Sequence, residues 1–307
     1  MNSQPLSSLS LASVAPVILV LVWSTGWISA KYADPFSGPL TFLFFRFLFS
    51  IAVFVGLALV LKRSWPRCPV TITHALLSGA LLHTLYLGGI WWAIEQGVPA
   101  SVSGLLAALQ PLMTAMIAYW IVGERLTSRQ KLGLLIGFGG LLVALTPKLA
   151  TLQGQALAAA ILPLAINALA MASVTIGTVY QKRSLQKVDL VTVASLQYIG
   201  AAVFMVPAIL LVEPEMYLEW NVQTSLVMIW SVLGLSLGAV LLLLYLIGRG
   251  EVSRAASLIY LIPPTVGFQA WLLFDEEITL PLLIGTAIVV TGVWMVNQKK
   301  AQQTSVE

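Results

Sequence analysis

PLMTAMIAYWIVGERLTSRQKLGLLIGFGG occupies residues 111–140, and PPTVGFQAWLLFDEEITLPLLIGTAIVVTG occupies residues 263–292. A single offset of 152 lays the second on the first without a gap. It places Ser101 on Ser253, Pro111 on Pro263, Glu124 on Glu276, Thr127 on Thr279, Gly133 on Gly285 and Gly140 on Gly292. Each copy is apolar, then briefly charged, then apolar again, which is the pattern of a helical hairpin. A hairpin repeated half a chain apart implies two homologous halves.

The composition fixes the solvent. Of 307 residues, 59% are hydrophobic and 9% are charged, whereas a soluble domain carries about a quarter charged residues. The apolar runs are about 17 to 25 residues long, the length that crosses a bilayer. The expected fold is all-α and integral to the membrane, with ten spans near 14–31, 40–61, 72–94, 100–122, 130–146, 155–180, 190–212, 222–247, 254–274 and 280–297. Pro39, Pro99, Pro147 and Pro281 mark boundaries. The first stretch, MNSQPLSSLSLAS, lacks the cationic start of a cleavable leader, so the first helix is expected to stay. Cys68 is the only cysteine, which excludes an intrachain disulfide.

Charge sets the expected orientation. With the N-terminus inside and spans alternating, thirteen basic residues fall inside: Lys62, Arg63, Arg67, Arg125, Arg129, Lys131, Lys182, Arg183, Lys187, Arg249, Arg254, Lys299 and Lys300. Lys31 and Lys148 fall outside, and Arg46 lies within a span. That asymmetry places both termini in the cytoplasm of a cell whose inner membrane holds the chain. The net charge of +4 is therefore topological, with no nucleic-acid partner implied. Acids collect outside: Asp34, Glu95, Glu213, Glu215, Glu219, Asp275, Glu276 and Glu277. The turn at Glu124 thus falls inside and its copy at Glu276 outside. Five helices per half force the second half, 155–297, to insert upside down relative to the first, 14–147. Such inverted repeats belong to carriers that rock about a midplane site. An offset of 151 extends the match to the first helices, laying Lys182 on Lys31, Thr192 on Thr41 and Gln197 on Arg46.

VWSTGW at 22–27, TFLFFRF at 41–47, QPLMTAMIAYWIVGERLT at 110–127 and PPTVGFQAWLLFDEEIT at 263–279 carry a likeness to a known family. Across 14–297 the chain resembles the EamA branch of the drug/metabolite transporter superfamily. The resemblance implies two inverted five-helix bundles around a central cavity, with spans 5 and 10 in outer hairpins with 4 and 9. It also implies export of a small metabolite, often an amino acid. The second copy departs from the pattern, since Phe274-Asp275-Glu276 stands where relatives often show a Gly-Glu pair, as Gly123-Glu124 does here.

Candidate site residues are polar or aromatic groups placed where lipid would not tolerate them. Trp23 sits mid-span, away from the interfacial belts that suit Trp91, Trp92, Trp120, Trp271 and Trp294, and Trp27 lies one turn along the same face. An aromatic face beside Ser24 suits an amphipathic ligand, or simply helix packing. His83 and Tyr86 share a face by spacing, while Gln110, Asn167, Gln197 with Tyr198, and Tyr260 are central in their spans. Buried polar groups converge on a wet site or hydrogen-bond between helices at about 1 kcal/mol or less each. Arg46 suits a substrate carboxylate; the alternative is a clamp on carbonyls or on an acid such as Glu95. Pro111 and Pro263 break matching helices and pose as paired hinges, or as plain packing kinks. Gly133, Gly137 and Gly140, with Gly234 and Gly238, have close-packing spacing, read as contacts within one chain. Glu124 and Glu276 read as helix-end charges.

The expected function is a carrier exporting an amino acid or related zwitterion. Its partners would be that small molecule and the bilayer, in a monomer or homodimer. Broad efflux of lipophilic cations is the alternative, disfavoured because no Asp or Glu lies inside a span. The same absence, with His83 the best titratable candidate, points to passive or exchange transport. A scaffold or sensor is a reading of another class. No catalytic residue, metal or cofactor is expected, since paired carboxylates, HExxH and GxSxG are all missing.

Overall fold

A computed structural model describes residues 11–117, 127–150, 155–186, 188–239, 241–242 and 261–297. Among them regular structure is helical, with one isolated antiparallel bridge between Ser37 and Leu218. The helices are α1 (Leu11–Ala33), α2 (Pro39–Val60), α3 (Pro69–Glu95), α4 (Ala100–Ala108), α5 (Gln110–Ile117) and α6 (Ser128–Ala150). There follow α7 (Gln155–Ser184), α8 (Leu190–Val212), α9 (Val222–Gly238), α10 (Ile262–Phe274) and α11 (Leu280–Asn297). Prolines open several of them. Pro39 and Pro69 occupy first helical positions, where the missing N–H has no intrahelical partner to lose. Asp189 starts α8 by accepting from the amides of Val191 (3.0 Å) and Thr192 (3.2 Å).

Among the described residues five segments are long and apolar enough to cross a membrane: Pro39–Val60, Pro69–Glu95, Ser128–Pro147, Ala159–Ser184 and Leu190–Val212. Ala100–Thr114, Val222–Gly238 and Leu280–Val296 are shorter apolar helices. Large apolar side chains face outward along them, Leu135, Leu169, Leu211 and Leu226 among others. Water penalises such a surface, whereas hydrocarbon does not.

The glycines of the duplicated stretch find each other. A Cβ on Gly133 would lie 2.7 Å from the Gly292 carbonyl oxygen, and one on Gly140 would lie 2.8 Å from that of Gly285. α6 and α11 therefore run antiparallel in backbone-to-backbone contact. The contacts are reciprocal: Gly285 is the copy of Gly133 and Gly292 the copy of Gly140, so each helix offers the other the same two positions. The resemblance put these helices in outer hairpins with their neighbours in sequence; they pack principally on one another. Other contacts between the halves come in the same mirrored sets. α1 meets α10 and α9, while α7 meets α5 and α3; α2 meets α9, while α3 meets α8. α2 with α8 and α4 with α10 complete the frame.

Ahead of Pro111 the helix Ala100–Thr114 is interrupted for one residue. α4 ends at Ala108, Leu109 turns at φ −76°, ψ −7°, and α5 starts at Gln110. Pro263 stands in the first turn of α10. The Phe274-Asp275-Glu276 departure is absorbed by Asp275, which takes the left-handed conformation (φ 54°, ψ 28°) where a glycine would be unstrained. Glu124, Gly123, Trp120, Ser253 and Tyr260 lie outside the described residues.

Candidate functional site

α1, α2 and α3 of the first half meet α9 of the second around a cavity of about 50 Å³. α1 contributes Trp23, Gly26 and Trp27, which share a face at spacings of three and four. α2 contributes Arg46; α3 contributes Tyr86, Leu87, Ile90 and Trp91; α9 contributes Leu235. Arg46 lies seven residues into α2, about 10 Å of helical rise from its start, and is only 4% exposed. A Cβ on Gly26 would meet nothing within 4 Å, so α1 leaves room at this point.

Four of the residues singled out from sequence, Trp23, Trp27, Arg46 and Tyr86, thus line one space. Among the described residues Arg46 makes no hydrogen bond to Glu95 or to a backbone carbonyl. Its Nε and Nη2 both donate to Ser236 Oγ, each at 3.3 Å, and no carboxylate among the described residues is in ion-pair range of it. Glu95 is exposed and accepts from Gln96 Nε2 instead. Asn167 reaches the cavity wall indirectly. Trp27 Nε1 (2.9 Å) and Asn167 Nδ2 (2.7 Å) both donate to the buried Ser103 Oγ, which ties α1 and α7 through α4. Asn167 Oδ1 is buried without a hydrogen-bond partner.

His83 lies in a π-helical segment, Ala80–Leu85, so its spacing from Tyr86 does not by itself give a common face. The His83 ring stacks on Tyr198 (centroids 4.4 Å apart, 15° between planes) and leans on Phe47 (6.0 Å), away from the cavity lining. Gln197 is also elsewhere: its Nε2 donates to Ser78 Oγ (3.0 Å) and Gln181 Oε1 (3.1 Å). Gln110 sits at the α4–α5 break, its carbonyl accepting from Thr114 Oγ1 at 2.8 Å. Trp91 was assigned to an interfacial belt, yet it is 2% exposed, lines the cavity and stacks on Phe42 (5.1 Å, 25°). No signal in the sequence tells Trp91 from Trp92, since neighbouring helical residues such as Leu210 and Leu211 can both face outward. Trp271 and Trp294 do face outward.

Two carboxylates close the end of the bundle nearest this cavity. Glu213 accepts from the amides of Leu40 (2.8 Å) and Thr41 (2.9 Å) and from Thr41 Oγ1 (2.9 Å), capping α2. Glu276 accepts from the amides of Ala100 (3.1 Å) and Ser101 (3.3 Å) and from Ser101 Oγ (2.9 Å), capping α4, and pairs with Lys31 Nζ at 2.6 Å. Glu276 therefore serves the end of a distant helix, not of its own. Burial pushes its carboxyl up, but the Lys31 ammonium and the Ser101 and Ala100 donors outweigh that and hold it below the usual glutamate range. No group of three or more potential metal ligands occurs among the described residues.

The model of the EamA-like transporter family matches residues 10–146 and 161–298, one copy to each half. The transporter YvbV of Bacillus subtilis (strain 168) is 30% identical over 296 residues, covering 94% of this chain and 92% of its own. A probable amino-acid metabolite efflux pump of Escherichia coli (strain K12) is 25% identical over 297 residues, with 92% and 93% coverage. A protein known from its crystal structure superposes with a TM-score of 0.65 at 21% identity, covering 96% of this chain and 99% of that one. The likeness of fold, the doubled family match and the full-length relative agree, and the chain belongs to the EamA-like transporter family.

Proposed function

We propose that this transporter is an exporter working by alternating access, with ten spans arranged as inverted repeats at 14–147 and 155–297 and both termini in the cytoplasm. Its cargo is an amino acid or a related small metabolite carrying a carboxylate. The observation that carries the reading is a cavity walled by both halves, with aromatic faces and one buried cation, inside a frame of reciprocal contacts. Arg46 is the carboxylate anchor, and Trp23, Trp27, Tyr86 and Trp91 form the apolar wall. Asn167 and Ser103 brace Trp27 from behind. Pro111 and Pro263, in corresponding helices, are the hinges. The cavity is below the about 300 Å³ at which enclosed ligand sites begin, so cargo enters only as the halves separate. The name borne by the Escherichia coli relative supports an amino-acid metabolite as the cargo class. No Asp or Glu lies in the interior of a described helix, which favours passive or exchange transport over proton coupling.

Gly26→Leu tests the site. The position faces open space, so the new side chain fills the cavity without striking backbone. Counterflow of labelled amino acids into vesicles holding the pure protein should be abolished while the thermal midpoint is kept. Normal counterflow in this variant would place the path elsewhere.

A further inference from the structure

We infer that the cavity selects a net anion, a small carboxylate with an apolar tail, in preference to the zwitterionic amino acid of the same shape. This rests on the carrier reading above and deepens it. The observation is an imbalance of charge. Arg46 is a fixed cation, 4% exposed, that faces the cavity. Two of its N–H groups share one neutral acceptor, Ser236 Oγ, at 3.3 Å each. No carboxylate among the described residues balances it. A buried guanidinium is stable when paired with an anion that takes its fork of donors. The ligand is the group left to supply that anion.

The rest of the wall decides what else the ligand carries. Nothing acidic among the described residues lines the cavity, and the Trp27 N–H is already spent on Ser103. An amino acid docked through its carboxylate holds its ammonium two bonds away, close to the same guanidinium. Among the described lining residues the Tyr86 hydroxyl and the indole faces of Trp23 and Trp91 are there to receive it, and a cation–π contact is a weaker partner than a carboxylate. A 2-oxo acid keeps the carboxylate and puts a neutral carbonyl acceptor in place of the ammonium, and Tyr86 can donate to it. Discrimination then comes from a repulsive element as much as an attractive one.

Three compounds share one branched tail and differ in charge: 4-methyl-2-oxopentanoate (−1), L-leucine (0) and 3-methylbutylamine (+1). Each is measured at pH 7 by counterflow into proteoliposomes of neutral lipid, with protein-free vesicles subtracted, and by quenching of tryptophan fluorescence in detergent. The expected order of affinity is oxo acid, leucine, amine, with at least about a tenfold gap between the first two. Arg46→Lys should keep that order with weaker binding, and Arg46→Gln should erase the gap. Leucine binding as tightly as the oxo acid overturns the inference and leaves the carrier reading standing. An amine that binds best overturns the anion selectivity and the role of Arg46 together. A gap that survives Arg46→Gln in folded protein removes Arg46 as its origin. If none of the three is bound or moved, the inference and the carboxylate-carrier reading both fall.

Discussion

Gly139 and Gly140 are neighbours in α6, and the geometry assigns them opposite fates on substitution by alanine. A Cβ at Gly140 would lie 2.7 Å from Val289 N, 2.8 Å from Gly285 O and 2.9 Å from Ile288 Cβ. Two of those are backbone atoms of α11, which cannot swing aside, so the helices must part by roughly 0.5–1 Å to restore ordinary contact. Overpacking of this kind costs about 1–3 kcal/mol, offset by up to about 1 kcal/mol from replacing a helical glycine. A net loss of about 1–2 kcal/mol is expected. At Gly139 the new methyl meets nothing within 4 Å, so only the gain of about 0.5–1 kcal/mol remains. The propensity gain is common to both neighbours, so they should differ by the overpacking cost of about 1–3 kcal/mol, read as the rank order of thermal midpoints in one detergent. Gly285→Ala should resemble Gly140→Ala, because its Cβ would lie 2.5 Å from Gly140 O. The double variant should cost less than the sum, since helices parted for one methyl already admit the other. Equal damage at 139 and 140, or strict additivity of 140 and 285, would refute the crossing.

Three further outcomes are expected. Glu276→Gln should lower stability by removing the Lys31 pair and weakening the α4 cap. Because the folded carboxyl titrates below its usual value, its contribution is complete above the ordinary glutamate pKa and disappears as pH falls through the lowered one. A midpoint-versus-pH series in which the wild-type advantage over Glu276→Gln grows on acidification would contradict this. Impermeant maleimide should reach the exposed Cys68 from the cytoplasmic side only, and Glu277→Cys on a Cys68→Ser background from the opposite side only; labelling from the same side would end the inverted topology. Counterflow should be indifferent to an imposed proton gradient, and His83→Ala should leave that indifference unchanged, because His83 packs on Tyr198 rather than on the cavity.

The helical, two-repeat frame was legible because hydropathy and the doubled glycine pattern each report on a global property with many residues voting. The glycine spacing announced a close contact but not its partner, since α6 and α11 choose each other across the fold. Trp23, Trp27, Arg46 and Tyr86 stood out because membrane burial makes each of them anomalous on its own. Pairing His83 with Tyr86 by spacing assumes 3.6 residues per turn, and nothing in Ala80–Leu85 advertises the π turn there. Glu276 reads from sequence as a helix-end charge and Glu213 as one of the outside acids, while their partners are helix ends some 175 residues away. No local pattern encodes a contact of that range.

Gln197 shows how a symmetric frame yields an asymmetric site. The frame has two equivalent places for a cavity, one beside Arg46 and one beside Gln197, its counterpart in the repeat. At the first, α1, α2, α3 and α9 stand apart, and the guanidinium has a single hydroxyl for company. At the second, the neighbouring helices close. The backbone of Gly79 abuts that of Gln197, and the amide donates both to Ser78 on α3 and to Gln181 on α7. A closed junction has no room for a counter-ion, so a charge there would be stranded, and a neutral amide that donates to two helices at once costs far less. An open junction reverses the demand: an amide satisfied by its neighbours would have nothing to offer a ligand, while an arginine short of acceptors does. The position at which Arg46 in one half meets Gln197 in the other is thus the position at which one half holds the site and the other holds itself shut.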